Sequence, residues 1–428
     1  MMHMSSNEVL PQIQWVGAID WTIRQFHGHE TEEGTTYNSY LLQDDIITLV
    51  DSVKHTLIEE HIDRIGSIID IQQIQQIIIN HAEGDHTSGL PILMQRIPHA
   101  KLICNKLCKD LLVSQFPTLN DYEFEIIDEE SIINTGNREL MFKFTKVHWP
   151  ESMWTIDKEN HILFSNDAFG QHIACTERYA DEIHHFDHLM KLFKEYIANI
   201  VSPCRLICEK LVPFILEFEP KYILTAHGVC WRGEQLNHAV QYFIQFTTNV
   251  YNQNKIVILF DTIYNQTEHA AKLIASQIIN CGMKYIICDV RVVGLTKIAA
   301  ELLEAKGMIV GSPTINGCAT PKIMSVLRYL SSLTLINGKH CAFFGAFGWN
   351  SKSIEKMVAI AILKGGGIEV QRFEFKFAIS HEDGFKLINL GKVVVDTIRQ
   401  YEKQKLQCSE QIKVEQGIPL EEQKLIQE

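Results

Sequence analysis

One stretch, His81-Ala82-Glu83-Gly84-Asp85-His86, constrains this chain more than any other. It follows Ile77-Ile78-Ile79, a β-branched apolar run that reads as a buried strand. Four potential metal ligands in six residues cannot all face one way on a helix or a strand. The spacing therefore predicts a loop at a strand's exit, where successive side chains converge. Two imidazoles and two carboxylates with no thiolate suit iron, manganese or zinc. A polar surface turn would show the same residues in isolation. What argues against a plain turn is the recurrence of matching residues downstream, at His148, Asp167 and His227.

Composition limits what surrounds that stretch. With 428 residues, the chain is long enough for two or three domains, each with its own core. A hydrophobic share of 46% and a charged share of 21% are ordinary for a globular protein in water. The formal net charge of -13 disfavours nucleic acid and anionic membrane surfaces as partners. No run of about 18 apolar residues occurs, so no membrane span is expected. Met1-Met2-His3-Met4-Ser5-Ser6 lacks a basic region followed by an apolar one, so no secretory leader is expected. The 11 cysteines are dispersed, which reads as reduced thiols in a reducing, cytoplasmic compartment. Cys104/Cys108 and Cys204/Cys208 are spaced by one helical turn, not by the shorter gap of a rubredoxin or zinc ribbon. No iron–sulfur or rubredoxin centre is expected within these residues.

In chain order, residues 8–50 read as paired short strands, with Leu41-Leu42 and Ile46-Ile47-Thr48-Leu49-Val50 flanking the turn-prone Asp44-Asp45. Residues 55–69 and 88–97 have helical spacing, and Lys101-Leu102-Ile103-Cys104 reads as a strand. The alternating run 140–145 leads to His148-Trp149-Pro150. Ile162-Leu163-Phe164-Ser165 leads to Asn166-Asp167, and Tyr222-Ile223-Leu224-Thr225 leads to Ala226-His227-Gly228. A mostly helical stretch lies between, at 181–218. Polarity rises over 248–254, where a domain boundary is expected. Beyond it the pattern changes to regular strand–helix alternation, with strands at 256–260, 285–287, 308–310 and 341–344 and helices near 267–280, 296–306, 320–332 and 351–364. That alternation predicts a parallel, doubly wound sheet. From about 398 the chain becomes charged and reads as a helix end followed by a terminal tail.

The candidate ligands are His81, Glu83, Asp85, His86, His148, Asp167 and His227. Seven exceed one shell, but two ions sharing a carboxylate would use them all, roughly 3.5 Å apart as in two-metal sites generally. Asp167 stands alone between the later histidines and is the natural bridge. This set resembles the metallo-β-lactamase-like core of the flavodiiron proteins, or A-type flavoproteins. The surrounding Gly34-Thr35-Thr36-Tyr37-Asn38, Ser165-Asn166-Asp167-Ala168-Phe169-Gly170-Gln171-His172 and Thr225-Ala226-His227-Gly228 resemble that family too. Zinc hydrolases of the fold carry histidine at the second ligand position. Glu83 makes the site harder and more anionic, which suits iron. The resemblance implies one non-heme iron on His81, Glu83 and His148, the other on Asp85, His86 and His227, and Asp167 between them. His27 is a candidate hydrogen-bond partner near the metals, and Trp149 and Trp154 are candidate walls of the pocket.

The strand at 256–260 ends in Asp261-Thr262-Ile263-Tyr264-Asn265-Gln266-Thr267-Glu268, a hydroxyl-bearing turn feeding a helix. Backbone N–H groups and the helix dipole there favour a phosphate. Gly311-Ser312-Pro313-Thr314-Ile315-Asn316-Gly317 and Phe344-Gly345-Ala346-Phe347-Gly348-Trp349-Asn350 follow the next strands, where open α/β sheets bind ligands. Glycine lets backbone approach a flat ring, and Trp349 is placed to stack on one. The set resembles the three FMN loops of flavodoxin-like domains, except that Asn265-Gln266 replaces the common Gly-Ser.

The resemblance spans about residues 8–400. It implies a metallo-β-lactamase-like αββα sandwich at 1–250 carrying the iron pair, a flavodoxin-like FMN domain at 251–404 and a charged tail at 405–428. It further implies reduction of O2 to water, of NO to N2O, or both, with electrons from an external donor such as rubredoxin or an NAD(P)H-linked reductase. A head-to-tail homodimer or a dimer of dimers would set one subunit's flavin against the other's metals. Two other readings remain open from the residues: a di-zinc hydrolase fused to a flavodoxin-like module, and an electron carrier or sensor with a degenerate metal site.

Overall fold

A computed structural model describes residues 4–248 and 254–415. The expected boundary region at 249–253 and the end of the tail, 416–428, lie outside the described residues. The chain divides into two compact units, Met1–Val250 and Tyr251–Glu428.

The first unit is a sandwich of two sheets between helices. Among the described residues the first sheet has the order Asn7–Leu10, Ile13–Trp15, Tyr40–Leu42, Thr48–Val50, Gln76–Ile78, Lys101–Asn105, Phe124–Ile127. The second has the order Ile133–Asn134, Glu139–Phe144, Met153–Asp157, Ile162–Asn166, Tyr222–Thr225, Trp231–Arg232. The central strands of the first sheet are apolar on both faces because each face has its own core. Ile77, Ile79, Leu49 and Leu102 pack under the helices with Ile58, Leu93 and Leu112. Their neighbours Ile78, Val50 and Ile103 point the other way and meet Phe142, Phe164 and Leu224 of the second sheet. Alternation within a run of isoleucines thus builds two interfaces from one strand. Helices Phe186–Tyr196 and Arg205–Phe218 come between Ile162–Asn166 and Tyr222–Thr225 in the chain, and Gly233–Thr248 follows Trp231–Arg232; Phe169 stacks on Phe193 and Phe243 at 6.3 and 4.7 Å between centroids. A buried ion triad ties the sheets at their edge: Arg138 pairs with Asp44 and, at 3.1 Å, with Asp157.

The second unit holds a parallel sheet, order Lys284–Asp289, Lys255–Phe260, Gly307–Pro313, His340–Phe347, Ile368–Lys376 among the described residues. This is the flavodoxin-like order, with the crevice at the first strand's switch point. Gly311 is required by packing: a Cβ there would stand 2.0 Å from the Phe344 ring.

Several boundaries differ from the sequence reading. Gly84–Thr87 forms a short helical turn inside the expected ligand loop. Pro313, Gly345, Ala346 and Phe347 pair within extended strands, Ser312 with Gly345 and Pro313 with Ala346, so the second and third flavin loops begin later than expected. The last helix runs His381–Glu415, carrying helix past 405 into the expected tail.

Candidate functional site

The metal-ligand candidates meet at the strand exits of the first unit. Gln76–Ile78 delivers His81 and Glu83, and the turn Gly84–Thr87 adds Asp85 and His86. His148 lies between Glu139–Phe144 and Met153–Asp157 with φ +68, and Asp167 follows Asn166 with φ +49. Two residues held in the left-handed region beside the site are stored local strain. His227 leaves Tyr222–Thr225 and is followed by Gly228 at φ +73.

Two groups result. His81, Glu83, His148 and Asp167 place one ligand atom each within 4.8 Å of one another, and so do Asp85, His86 and His227. In the first, His148 Nε2 lies 2.9 Å and His81 Nε2 3.3 Å from Glu83 Oε2. In the second, His86 Nε2 and His227 Nε2 lie 3.2 and 3.1 Å from Asp85 Oδ2. Asp167 faces both: Oδ2 is 3.5 Å from His81 Nε2, while Oδ1 is 3.2 Å from His86 Nε2 and 3.5 Å from His227 Nε2.

The outer nitrogens show which way the rings are turned. His81 Nδ1 donates to Glu151 Oε1 at 2.8 Å, and His227 Nδ1 donates to the Thr36 carbonyl at 2.7 Å. Both acceptors lack a proton, so Nδ1 carries it and the Nε2 lone pair points inward. Inward lone pairs facing carboxylate oxygens require protons or cations between them. Both oxygens of Asp85, both nitrogens of His86 and Asp167 Oδ1 are buried without a hydrogen-bond partner. Asp85 Oδ2, His86 Nε2 and Asp167 Oδ1 stand at ion-pair separations without the directions of hydrogen bonds, a pattern that fits ligands converging on metal ions.

Without the ions, the groups hold each other charged. Burial opposes the Glu83 anion, but hydrogen bonds from His148, His27 and His81 hold its carboxyl well below the usual range. Burial likewise opposes the Asp167 anion, and His86 beside it overrides this and lowers its pKa. Burial works against a cationic His86, yet Asp85 and Asp167 push its pKa up to about 9.

Around the cluster, His27 Nδ1 reaches Glu83 Oε1 at 2.8 Å from a hairpin tip with φ +48, and is half-exposed. The Trp149 ring stands edge-on to His81 at 5.2 Å. Trp154 lies deeper, against Phe169 and Phe214. Sequence reasoning passed over Glu151, Asp51 and Tyr196. Asp51 accepts from Asn80 N and Nδ2 at 2.8 and 2.9 Å, bracing the start of the ligand loop. Tyr196 packs its ring on Gly170 and its hydroxyl against Asp167; burial first and that carboxylate second raise its pKa. Glu151 follows Trp149-Pro150 directly and was the one with a local signal: an acid three residues after a candidate ligand.

In the second unit the three loops expected to bind flavin leave neighbouring strands. Thr262 Oγ1 is buried without a partner, and Asn265, at φ +62, opens the helix Gln266–Asn280 with no side-chain cap. Free N–H groups and a free hydroxyl at a helix start fit a phosphate. Thr267 instead donates to the Asp261 carbonyl at 2.6 Å, and the Gln266 amide oxygen accepts from Ile379 N at 3.2 Å. Asn316 and Gly317 turn back with φ +49 and +68, and a Cβ on Gly317 would meet open space. Trp349 is 93% and Tyr264 84% exposed, and Ile263 and Ile315 are exposed as well, leaving apolar surface for a flat ring. The donor set and the open glycine fit FMN.

A sandwich with a metal-ligand cluster at its strand exits, in one chain with a flavodoxin-like sheet, defines the class. The family model described as ODP family beta lactamase matches residues 35–228. The rubredoxin-oxygen oxidoreductase of Megalodesulfovibrio gigas is 32% identical over 92% of this chain and 99% of its own. The anaerobic nitric oxide reductase flavorubredoxin of Vibrio vulnificus is 33% identical over 84% of this chain and 72% of its own. The flavodiiron protein from Giardia intestinalis superposes with a TM-score of 0.88 at 32% identity, over 94% of this chain and 99% of that one. The chain belongs to the flavodiiron family of oxidoreductases. Membership implies an FMN and a diiron site. No helix among the described residues is long and apolar enough to cross a membrane.

Proposed function

We propose that this protein is a cytoplasmic flavodiiron reductase that takes O2 to water, NO to N2O, or both, and so removes these gases. The observation that carries the reading is the position of Asp167, whose two oxygens face the two ligand groups separately. His81, Glu83 and His148 would hold one iron, Asp85, His86 and His227 the other, with Asp167 shared. Thr262 and the start of Gln266–Asn280 would take the FMN phosphate, with Ile263, Tyr264, Asn265, Gln266 and Thr267 forming that turn. Pro313, Thr314, Ile315, Asn316 and Gly317, with Gly345, Ala346, Phe347, Gly348, Trp349 and Asn350, would border the ring. When bound, the flavin and the iron pair supply the electrons that reduction of either gas consumes.

The chain's own residues prepare that chemistry. Glu151 and the Thr36 carbonyl orient His81 and His227. Trp149 closes the side of His81 against water. His27, half-exposed and bonded to Glu83, is placed to pass protons between solvent and the cluster. The electron donor is proposed to be a rubredoxin-type protein or an NAD(P)H-linked reductase, and the working unit a head-to-tail homodimer or a dimer of dimers.

Glu83 favours iron over the di-zinc alternative, since a third carboxylate among the ligands hardens the site. The test is to purify the protein, measure metal and flavin, reduce it without air and follow its reoxidation by each gas in turn. About two irons and one FMN per chain, with rapid turnover of at least one gas, is the expected result. Zinc in place of iron, together with thioester or lactam hydrolysis, would overturn the reading.

A further inference from the structure

Three of the cluster's imidazoles, His81, His86 and His227, are not supported alike. His227 Nδ1 donates to a neutral backbone carbonyl. His86 Nδ1 is buried without a partner. His81 Nδ1 instead donates to a carboxylate, Glu151 Oε1, at 2.8 Å, with Ser152 Oγ 3.3 Å away. Glu151 has a fully buried side chain. Its Oε1 also accepts from Ala82 N at 3.0 Å, and its Oε2 is buried with no hydrogen-bond partner. Its backbone carbonyl accepts from Asn105 Nδ2 at 2.6 Å, which anchors the segment that carries it to the end of the strand Lys101–Asn105.

A buried carboxylate with one oxygen unpaired is costly to folding alone. An amide would hold the same Nδ1 proton at lower desolvation cost. Retaining a full charge is explained by a positive charge on the far side of the ring, because a carboxylate behind an imidazole raises its basicity toward a cation bound at the other nitrogen. Only one of the two ligand groups has this arrangement.

We propose that Glu151 is a positioning residue that makes the two metal sites unequal: it fixes the His81 proton on Nδ1, strengthens Nε2 as a ligand, and renders the His81–Glu83–His148 ion the more tightly held of the pair. This inference rests on the diiron reading above.

The experiment is chelator-driven iron release from the anaerobically reduced, FMN-loaded protein, followed by colour and by Mössbauer spectroscopy. The wild type is expected to release its irons in two phases. In Glu151→Gln, which keeps shape and hydrogen-bond acceptor but not charge, the slow phase is expected to quicken by about 10–100-fold, the usual size for such outer partners. One of the two ferrous Mössbauer signals should change and the other stay, while the FMN content of the second unit is unaltered. Glu151→Asp, which restores the charge, should recover part of the slow phase, and it decides the matter if the glutamine variant fails to fold. Equal acceleration of both phases, or a glutamine variant indistinguishable from wild type, overturns the proposal and leaves the diiron reading standing. A wild type with no iron pair removes both.

Discussion

His86 Nε2 stands 3.2 Å from Asp167 Oδ1, and neither atom has a hydrogen-bond partner. The other oxygen of the same carboxylate faces His81 at 3.5 Å. A side chain that addresses two ligand groups at once is hard to replace. Asp167→Ala should therefore drop iron from about two per chain to one or fewer and abolish reduction of both gases. The loss of affinity should exceed the roughly 10–100-fold typical of an outer partner. Iron analysis beside gas-electrode assays checks this. Unchanged gas reduction would instead favour the electron-carrier reading.

Much of this arrangement was legible in the sequence because the candidate ligands sit at strand ends, and strand ends follow apolar runs. Ile77-Ile78-Ile79 marked the exit that carries His81, and 162–165 marked the one that carries Asp167. The layout of the second sheet followed from strand–helix alternation. What escaped were contacts made at long range. Asp51 reaches Asn80 across 29 residues and Glu151 reaches His81 across 70. No periodicity encodes such pairs. The strand Ile368–Lys376 was also missed, because an edge strand with charged residues on its exposed positions lacks the apolar run that betrays a buried one.

Thr262→Val tests the flavin site. The Thr262 hydroxyl is buried and unpartnered in the turn that leads into the helix Gln266–Asn280, so its loss should remove one hydrogen bond to a charged phosphate. FMN should bind about tenfold more weakly, in line with about 1.5 kcal/mol for such a bond. Riboflavin, which has no phosphate, should bind both proteins equally. Titration of flavin fluorescence against the apoprotein measures both.

His61 should make the protein acid-sensitive. Burial first, offset only in part by the hydrogen bond to the Val16 carbonyl at 2.7 Å, lowers its pKa from 6.5 to about 4. The folded state therefore keeps the ring neutral where the unfolded chain would protonate it. Its contribution is fully present above pH 6.5 and is lost as pH falls toward 4. The gap is worth at most about 3.5 kcal/mol, taking about 1.4 kcal/mol per pH unit. Urea midpoints at steps from pH 7 to pH 4 should fall more steeply for the wild type than for His61→Gln. Parallel curves would refute this assignment.

Gly228→Ala should damage the metal site without touching a ligand. At φ +73 any other residue is strained, by about 1–2 kcal/mol. The added Cβ would also stand 2.3 Å from Gln171 Oε1 and 2.5 Å from the Gln171 carbonyl. Gln171 cannot simply retreat: it accepts from Val229 N and donates to the Phe169 and Val229 carbonyls. Nor can Gly228, whose N–H and carbonyl are both engaged by Thr36. The strain should therefore pass to His227, whose Nδ1 bond to the Thr36 carbonyl sets its aim. The expected outcome is a loss of about 2–4 kcal/mol in stability, seen as a lower thermal midpoint, and faster chelation of the iron proposed to sit on Asp85, His86 and His227. Adding Gln171→Ala should relieve the side-chain part of the clash, but neither the contact with the Gln171 carbonyl nor the backbone strain, so the double variant should be less unstable than the two single losses summed. Simple additivity would mean that the two residues do not share the space assigned to them.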